Sequence, residues 1–433
     1  MRAAKLILLL ILLPTMGPQA LPYFEISRLG INARNFAFNK DLIAIQNEEL
    51  LLMGKPLNIS GCKLLGGRDI FIQCGGSLLK LPELREVARC EGCSFIPYSE
   101  DRYAILKDGL TLRIDGRERK FDLRPRIAKW SRDGNFLLVV DRDEAILLSE
   151  DGMSIRARLN TQIFDVDLSG RIMCVATKDC EVFAFSESGV AWTNKLCSCC
   201  IPLKLSSSDG LFFVALQGKE IAVLNSESGR VLQRIEVPGY SIYSFDGIVA
   251  SLDSNGTLHI FADLSKLRVE GKSYGILLSW DIPEWLRGEL NYELNGSSGR
   301  VEVSRESFIP VGSSGSFKLK LKDLNGLEIE RDVNLSDLEV KLSPDGLVEV
   351  RGEGKIGISA QGRIYNGTRA SVDTGFLPFY EVTILNYGKP IATYRCYNSR
   401  FTVISSLLAI LLIAIILRKF LGKWRQHSLW ISV

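Results

Sequence analysis

WSRDGNFLLVVDRDEAILLSEDG, residues 130–152, holds two apolar runs, each bounded by polar turns. FLLVV and AILL are of strand length, and the SRDG, DRDE and SEDG punctuation is turn chemistry. The phrase recurs. FNKDLIAIQ, LGGRDIFIQC, YSEDRYAILKDG, DLSGRIMCVATKDC, SSSDGLFFVALQGK and YSFDGIVASLDSNG share its turn-then-run form. The equivalent turn residues are Lys40, Gly67, Arg102, Gly134, Gly170, Gly210 and Gly247, spaced by 27, 35, 32, 36, 40 and 37 residues. Hairpins repeated at this period build four-stranded blades around an axis, which leave only short protected edges. The spacing predicts a seven-bladed β-propeller over residues 23–268. No sustained apolar stripe of helical period lies between Pro22 and Arg400, so an all-β ectodomain is expected.

Two stretches, TKDCEVFAFSESGVAW (177–192) and SSSDGLFFVALQGKEIAVLNSESGRVLQRIEV (206–237), resemble the blades of WD40-like and quinoprotein-dehydrogenase-like propellers. The likeness is best over residues 128–261, and no unit carries the Trp-Asp dipeptide of true WD40 repeats. The quinoprotein resemblance implies a central redox cofactor with calcium and often a disulfide between adjacent cysteines. Cys199 and Cys200 fit the last feature. Against it, the propeller is shorter than those enzymes use, and no set of acidic ligands stands where the resemblance would put one. A propeller hosts many functions, so the fold alone names none.

The ends of the chain carry its address. Residues 1–20 place Arg2 and Lys5 before the apolar Leu6 to Leu13 and a small-residue exit, which reads as a signal peptide. Residues 401–417 (FTVISSLLAILLIAIIL) are uncharged and are followed by Arg418, Lys419, Lys423 and Arg425 on a basic tail, 418–433. A spanning helix needs about 20 residues, and basic flanks stay on the cytoplasmic side. The reading is a single-pass protein of the cell membrane, with its N-terminal region extracytoplasmic and its C-terminus cytoplasmic. Sequons at Asn58, Asn255, Asn295, Asn334 and Asn366 all fall between the two apolar ends and are candidate glycosylation sites.

All ten cysteines lie in the same region, as an oxidising compartment favours. Cys174 and Cys180 flank a turn centred near Thr177, and the spacing predicts a cross-strand disulfide between them. Cys62, Cys74, Cys90, Cys93, Cys197, Cys199, Cys200 and Cys396 are the other candidates, and the spacing does not fix their connectivity. The alternative for Cys90, Cys93, Cys197, Cys199 and Cys200 is a metal site, which an exported protein disfavours.

After Tyr274 the texture changes. LSWDIP followed by YEL resembles the opening of a fibronectin type III or related sandwich, and FKLKLKDL alternates strictly at Phe317, Leu319 and Leu321. Residues 274–398 are expected to form one or two β-sandwich modules serving as a stalk.

Function classes narrow by elimination. With 53 basic and 50 acidic residues the net charge is +3, which provides no field that would favour nucleic acid or an acidic substrate, and that class of partner is not expected. Only two histidines occur, and His427 is on the tail. His259, in GTLHIFAD, is expected to be a packed strand residue rather than a general base. The expected function is a non-enzymatic binding or scaffold module. It uses no cofactor, is tethered to the lipid bilayer through 401–417, and engages a protein or glycan partner on the outer face. A membrane-tethered quinoprotein-like oxidoreductase is the alternative.

Overall fold

The quoted phrase folds as the second and third strands of one blade. Leu137–Asp141 and Glu144–Ser149 pair antiparallel between an inner strand, Ile127–Trp130, and an outer one, Gly152–Arg158. Along these strands alternate side chains serve two different cores. Leu137, Val139, Ile146 and Leu148 pack with the preceding blade, while Leu138, Val140, Ala145 and Leu147 pack with the following one. Both faces are buried, so the runs are continuously apolar rather than alternating. The RDG turn has a separate cause: Gly134 has φ +69, and a Cβ there would collide with the ring of Tyr98. Tyr98 in turn donates its hydroxyl hydrogen to Arg132 O at 2.7 Å, and Trp130 Nε1 donates to Ile96 O at 2.8 Å, which fastens two blades together.

The computed structural model describes residues 23–57, 59–197, 202–217, 220–375 and 378–428. The predicted signal peptide, Asn58, Cys199 and Cys200 lie outside them. Six four-stranded sheets cover residues 35–57, 62–89, 94–121, 127–158, 163–195 and 202–235, here blades 1 to 6. Blade 7 takes three strands from 241–263 and its outer strand from the beginning of the chain, Tyr23–Gly30, which pairs antiparallel with Thr257–Asp263. The propeller is therefore seven-bladed, and it is closed by a strand whose partner lies more than 200 residues away. Seven apolar clusters occupy the seven interfaces between consecutive blades. Six of the seven predicted turn residues fall in the turn after the inner strand, and Arg102 opens the second strand of its blade.

The region behind the propeller consists of two sandwiches. In the first, Leu267–Lys272, Gly275–Trp280 and Glu306–Pro310 form one sheet. Ser297–Val303, Gly288–Leu294, Gly315–Lys322 and Glu328–Leu335 form the other. Its first strand begins inside the segment that the repeat reading gave to the propeller. The second has the same three-plus-four arrangement between Glu339 and Tyr397. The first sandwich is fused to the propeller. Its core is continuous with the blade 7–blade 1 core, Trp285 packs edge-on to Phe38 at 5.7 Å, and Trp285 Nε1 donates to Asn39 O at 2.9 Å. Among the described residues the single α-helix, α1, spans Ser399–Ser428.

The cysteines correct one expectation. Cys174 is a buried free thiol, so the predicted Cys174–Cys180 bridge is absent. The register explains why: Cys174 sits opposite Ala184, and Cys180 belongs to the turn before Glu181–Ser186. Cys62–Cys74 and Cys90–Cys93 are bonded pairs, so Cys90 and Cys93 are not metal ligands. Cys180 and Cys197 are both disulfide-bonded, and their sulfurs approach to 2.9 Å. Cys396 is free and partly exposed. Burial pushes the Cys174 thiol well above its ordinary pKa, and thiolate is the reactive form. A maleimide applied to the folded protein is therefore expected to modify Cys396 and spare Cys174 until denaturant is added. Peptide mapping that finds Cys174 labelled in the native state would contradict this packing.

Candidate functional site

Seven inner strands face the propeller axis, and each presents alternate side chains to a common space. The result is a cavity of about 480 Å³ lined from all seven blades. That size lies within the range of ligand pockets, about 300–1,000 Å³. Its charged lining consists of five cations, Lys63, Arg68, Lys129, Arg132 and Lys204, and two anions, Asp165 and Asp167.

The two carboxylates are spoken for. They stand two apart on Ile163–Ser169, hence on one face, and Lys129 Nζ lies 3.2 Å from Asp165 Oδ2 and 3.2 Å from Asp167 Oδ2. Lys129 also donates to Leu205 O at 2.7 Å, and Leu205 N donates to Asp165 Oδ2 at 2.8 Å. Asp167 Oδ1 accepts from Leu168 N at 2.7 Å and from the Ser207 hydroxyl at 3.2 Å. Burial opposes the charge on Lys129, but the facing Asp165 and Asp167 outweigh it and lift its pKa above the lysine value. Burial dominates at Asp167 and pushes that carboxyl up in spite of Lys129. This knot ties blades 4, 5 and 6 across the channel.

A second knot is formed at the turns that follow the inner strands. Arg132 donates to Ser208 Oγ at 2.7 Å and to Asp209 Oδ1 at 2.9 Å, and its guanidinium stands 5.3 Å from the Phe245 ring. Lys266 reaches Asp246 at 3.0 Å and Asp209 at 3.6 Å. Burial raises the Asp209 pKa, yet the charges of Arg132 and Lys266 override it and hold the carboxyl below its usual range. Lys63, Arg68 and Lys204 are different. They are exposed to the channel, and none has an ion-pair partner among the described residues. The cationic excess of the lining resides in these three side chains.

Three solved structures are similar to part of this chain. The β-propeller domain of Cps50 (Swd1) from Myceliophteria thermophila is 12% identical, with a TM-score of 0.44, over 56% of this chain and 99% of that one. BBS1N, crystallised with ARL6DN, is 11% identical with a TM-score of 0.44 over 56% and 97%. BamB from Moraxella catarrhalis is 9% identical with a TM-score of 0.38 over 53% and 84%. No family model and no curated protein matches the sequence. The chain is a β-propeller protein on the strength of its own seven sheets.

The remaining predicted positions are dispersed. Asn255, Asn295, Asn334 and Asn366 are all exposed, as a glycan acceptor must be, and stand on the propeller and both sandwiches. His259 is buried in the third strand of blade 7, away from the channel lining. Its Nδ1 pairs with Glu25 Oε1 at 2.7 Å, while Nε2, 3.5 Å from Asp253 Oδ2, makes no hydrogen bond. Glu25 also receives Arg28 Nε at 3.0 Å and Nη2 at 2.6 Å. His259 is thus a packed strand residue that also pins the closing strand. The cations Lys63, Arg68 and Lys204 had no sequence signal. Each is one basic residue in an ordinary strand or turn, and only the ring brings them together.

Proposed function

We propose that this chain is a non-enzymatic binding protein of the cell surface, whose channel receives an acidic group of an extracellular protein or glycan. The observation that carries this reading is the trio Lys63, Arg68 and Lys204, exposed in a cavity of ligand size without carboxylate partners among the described residues. Cations of one sign that line a common cleft focus its field and attract anions more strongly than isolated surface charges do. The anchor is residues Ser399–Lys419, 21 residues long and apolar enough to cross a membrane by length and composition. The basic flank after Leu417 supports a cytoplasmic C-terminus.

The test is mild cross-linking of intact cells expressing the parent or the Lys63→Glu, Lys204→Glu double variant. The parent should capture a discrete partner. Reversing two charges should cost at least 1.4 kcal/mol of binding, about a tenfold loss of captured partner. Equal capture by both forms would reject the channel as the site. A bound chromophore in the purified protein would replace the binding reading with a redox one.

A further inference from the structure

The second sandwich runs into α1 without a linker. A single residue separates its last strand, Lys389–Tyr397, from the helix, which begins at Ser399. The residue between them, Asn398, is fully buried. Its Nδ2 donates to Thr374 O at 3.0 Å and to Gly375 O at 3.1 Å, and its backbone N donates to Pro378 O at 2.9 Å. Its Oδ1 accepts from Arg400 N at 3.1 Å, which is the N-cap hydrogen bond of the helix. Ser399 adds backbone and side-chain hydrogen bonds to Pro344 O, each 3.1 Å. One buried amide therefore caps the helix and bolts it to the sandwich.

Beside this bolt lies an exposed aromatic cluster. Phe379 and Tyr397 are cross-strand partners with ring centroids 5.8 Å apart, and they are 42% and 45% exposed. The Arg395 guanidinium stands 4.7 Å from the Phe379 ring, and Tyr397 OH contacts Thr402 Oγ1 in the first turns of the helix. The uncharged run 401–417 has 17 residues, about 25 Å at 1.5 Å per residue. The hydrocarbon core is about 30 Å thick, so the 21-residue span Ser399–Lys419 fills it only by including its polar ends, which brings the adjoining end of the sandwich to the bilayer surface. Aromatic rings favour the headgroup level, where both their apolar bodies and polar edges are satisfied.

We propose that this end of the second sandwich is itself a lipid-contact surface. Phe379 and Tyr397 sit in the headgroup layer, with Arg395 and Arg400 at the phosphates. Through Asn398 the helix and sandwich form one rigid body that sets the orientation of the propeller on the membrane. The inference rests on the membrane-anchor reading and goes beyond it, because an anchor on a flexible tether would leave this surface in water.

The experiment uses the full chain in liposomes, with and without spin-labelled lipids whose quencher lies near the headgroups. In a Phe379→Trp variant, the emission added relative to the parent should be blue-shifted and quenched. The emission added by Val190→Trp, on an exposed outer strand of blade 5, should be neither. Asn398→Ala should lower the quenching at position 379 as the bolt loosens. Water-like, unquenched emission from Trp at 379, in protein that co-sediments with liposomes after alkaline washing, overturns the lipid-contact surface and leaves the anchor standing. Failure to co-sediment overturns the anchor, and the lipid-contact surface falls with it.

Discussion

Glu25→Ala is expected to lower the unfolding free energy of the propeller by about 3–5 kcal/mol, the usual result of stripping one partner from a buried ionic group. The Glu25 side chain is wholly buried and holds His259 from blade 7 and Arg28 from its own strand. The backbone is tied there as well, since Glu25 N donates to Asp323 Oδ2 at 3.0 Å in the first sandwich. Its loss leaves His259 buried without its anionic partner and loosens the strand that closes the ring. A melting temperature lower by on the order of 10 °C should follow for a domain of this size. The effect has a pH signature. Burial works to raise the Glu25 pKa, but hydrogen bonds from His259 and Arg28 prevail and hold it below the ordinary 4.5. A depressed carboxyl stabilises fully above its unfolded value and loses that contribution as pH falls through the folded one. The gap between parent and variant should thus be complete at neutral pH and close only below about pH 4.5. Parent-like melting at neutral pH would show that the closing strand is held by packing alone.

Lys129→Ala should be nearly as damaging. It leaves Asp165 and Asp167, whose side chains are 3% and 11% exposed, facing one another without a counter-charge. The expected cost is about 3 kcal/mol, the low end for a buried pair, because the ammonium itself is partly open to the channel. Replacing the whole group by neutral residues of similar size, Lys129→Met with Asp165→Asn and Asp167→Asn, should recover most of the loss. Urea midpoints measured on the three proteins would decide it. An unchanged midpoint for Lys129→Ala, or no recovery in the triple variant, would mean that the knot does not hold blades 4, 5 and 6 together.

Much of the fold is legible residue by residue. LLVV and FFVAL run without alternation because a blade's middle strands are buried on both faces, and the glycines before them mark turns that need positive φ. The repeat period then gives the propeller, and the uncharged run after Arg400 gives the apolar helix α1. Cys174 and Cys180 show where local reading stops. Their spacing admits a bridge, but moving the turn to residues 178–180 sets Cys174 against Ala184. Net charge leaves placement open for a related reason. A chain with 53 basic and 50 acidic residues still concentrates unpaired cations in its channel, because acidic and basic residues are matched elsewhere on the surface.

The sequence by itself determines the strands, their grouping into blades, the second β-region and the apolar helix, since these depend on neighbours a few residues away. Only the tertiary structure decides that Tyr23–Gly30 closes blade 7, that Glu25 meets His259, and that Lys63, Arg68 and Lys204 share one cavity. It also decides that Asn398 locks the helix to the sandwich. Lys63 and Arg68 apart, which are five positions from one another, these are meetings of residues from separate elements, from two dozen to more than two hundred positions apart. The physical reason is that ring closure and side-chain burial place such partners together, and neither propensity nor periodicity encodes which distant strand will stand opposite.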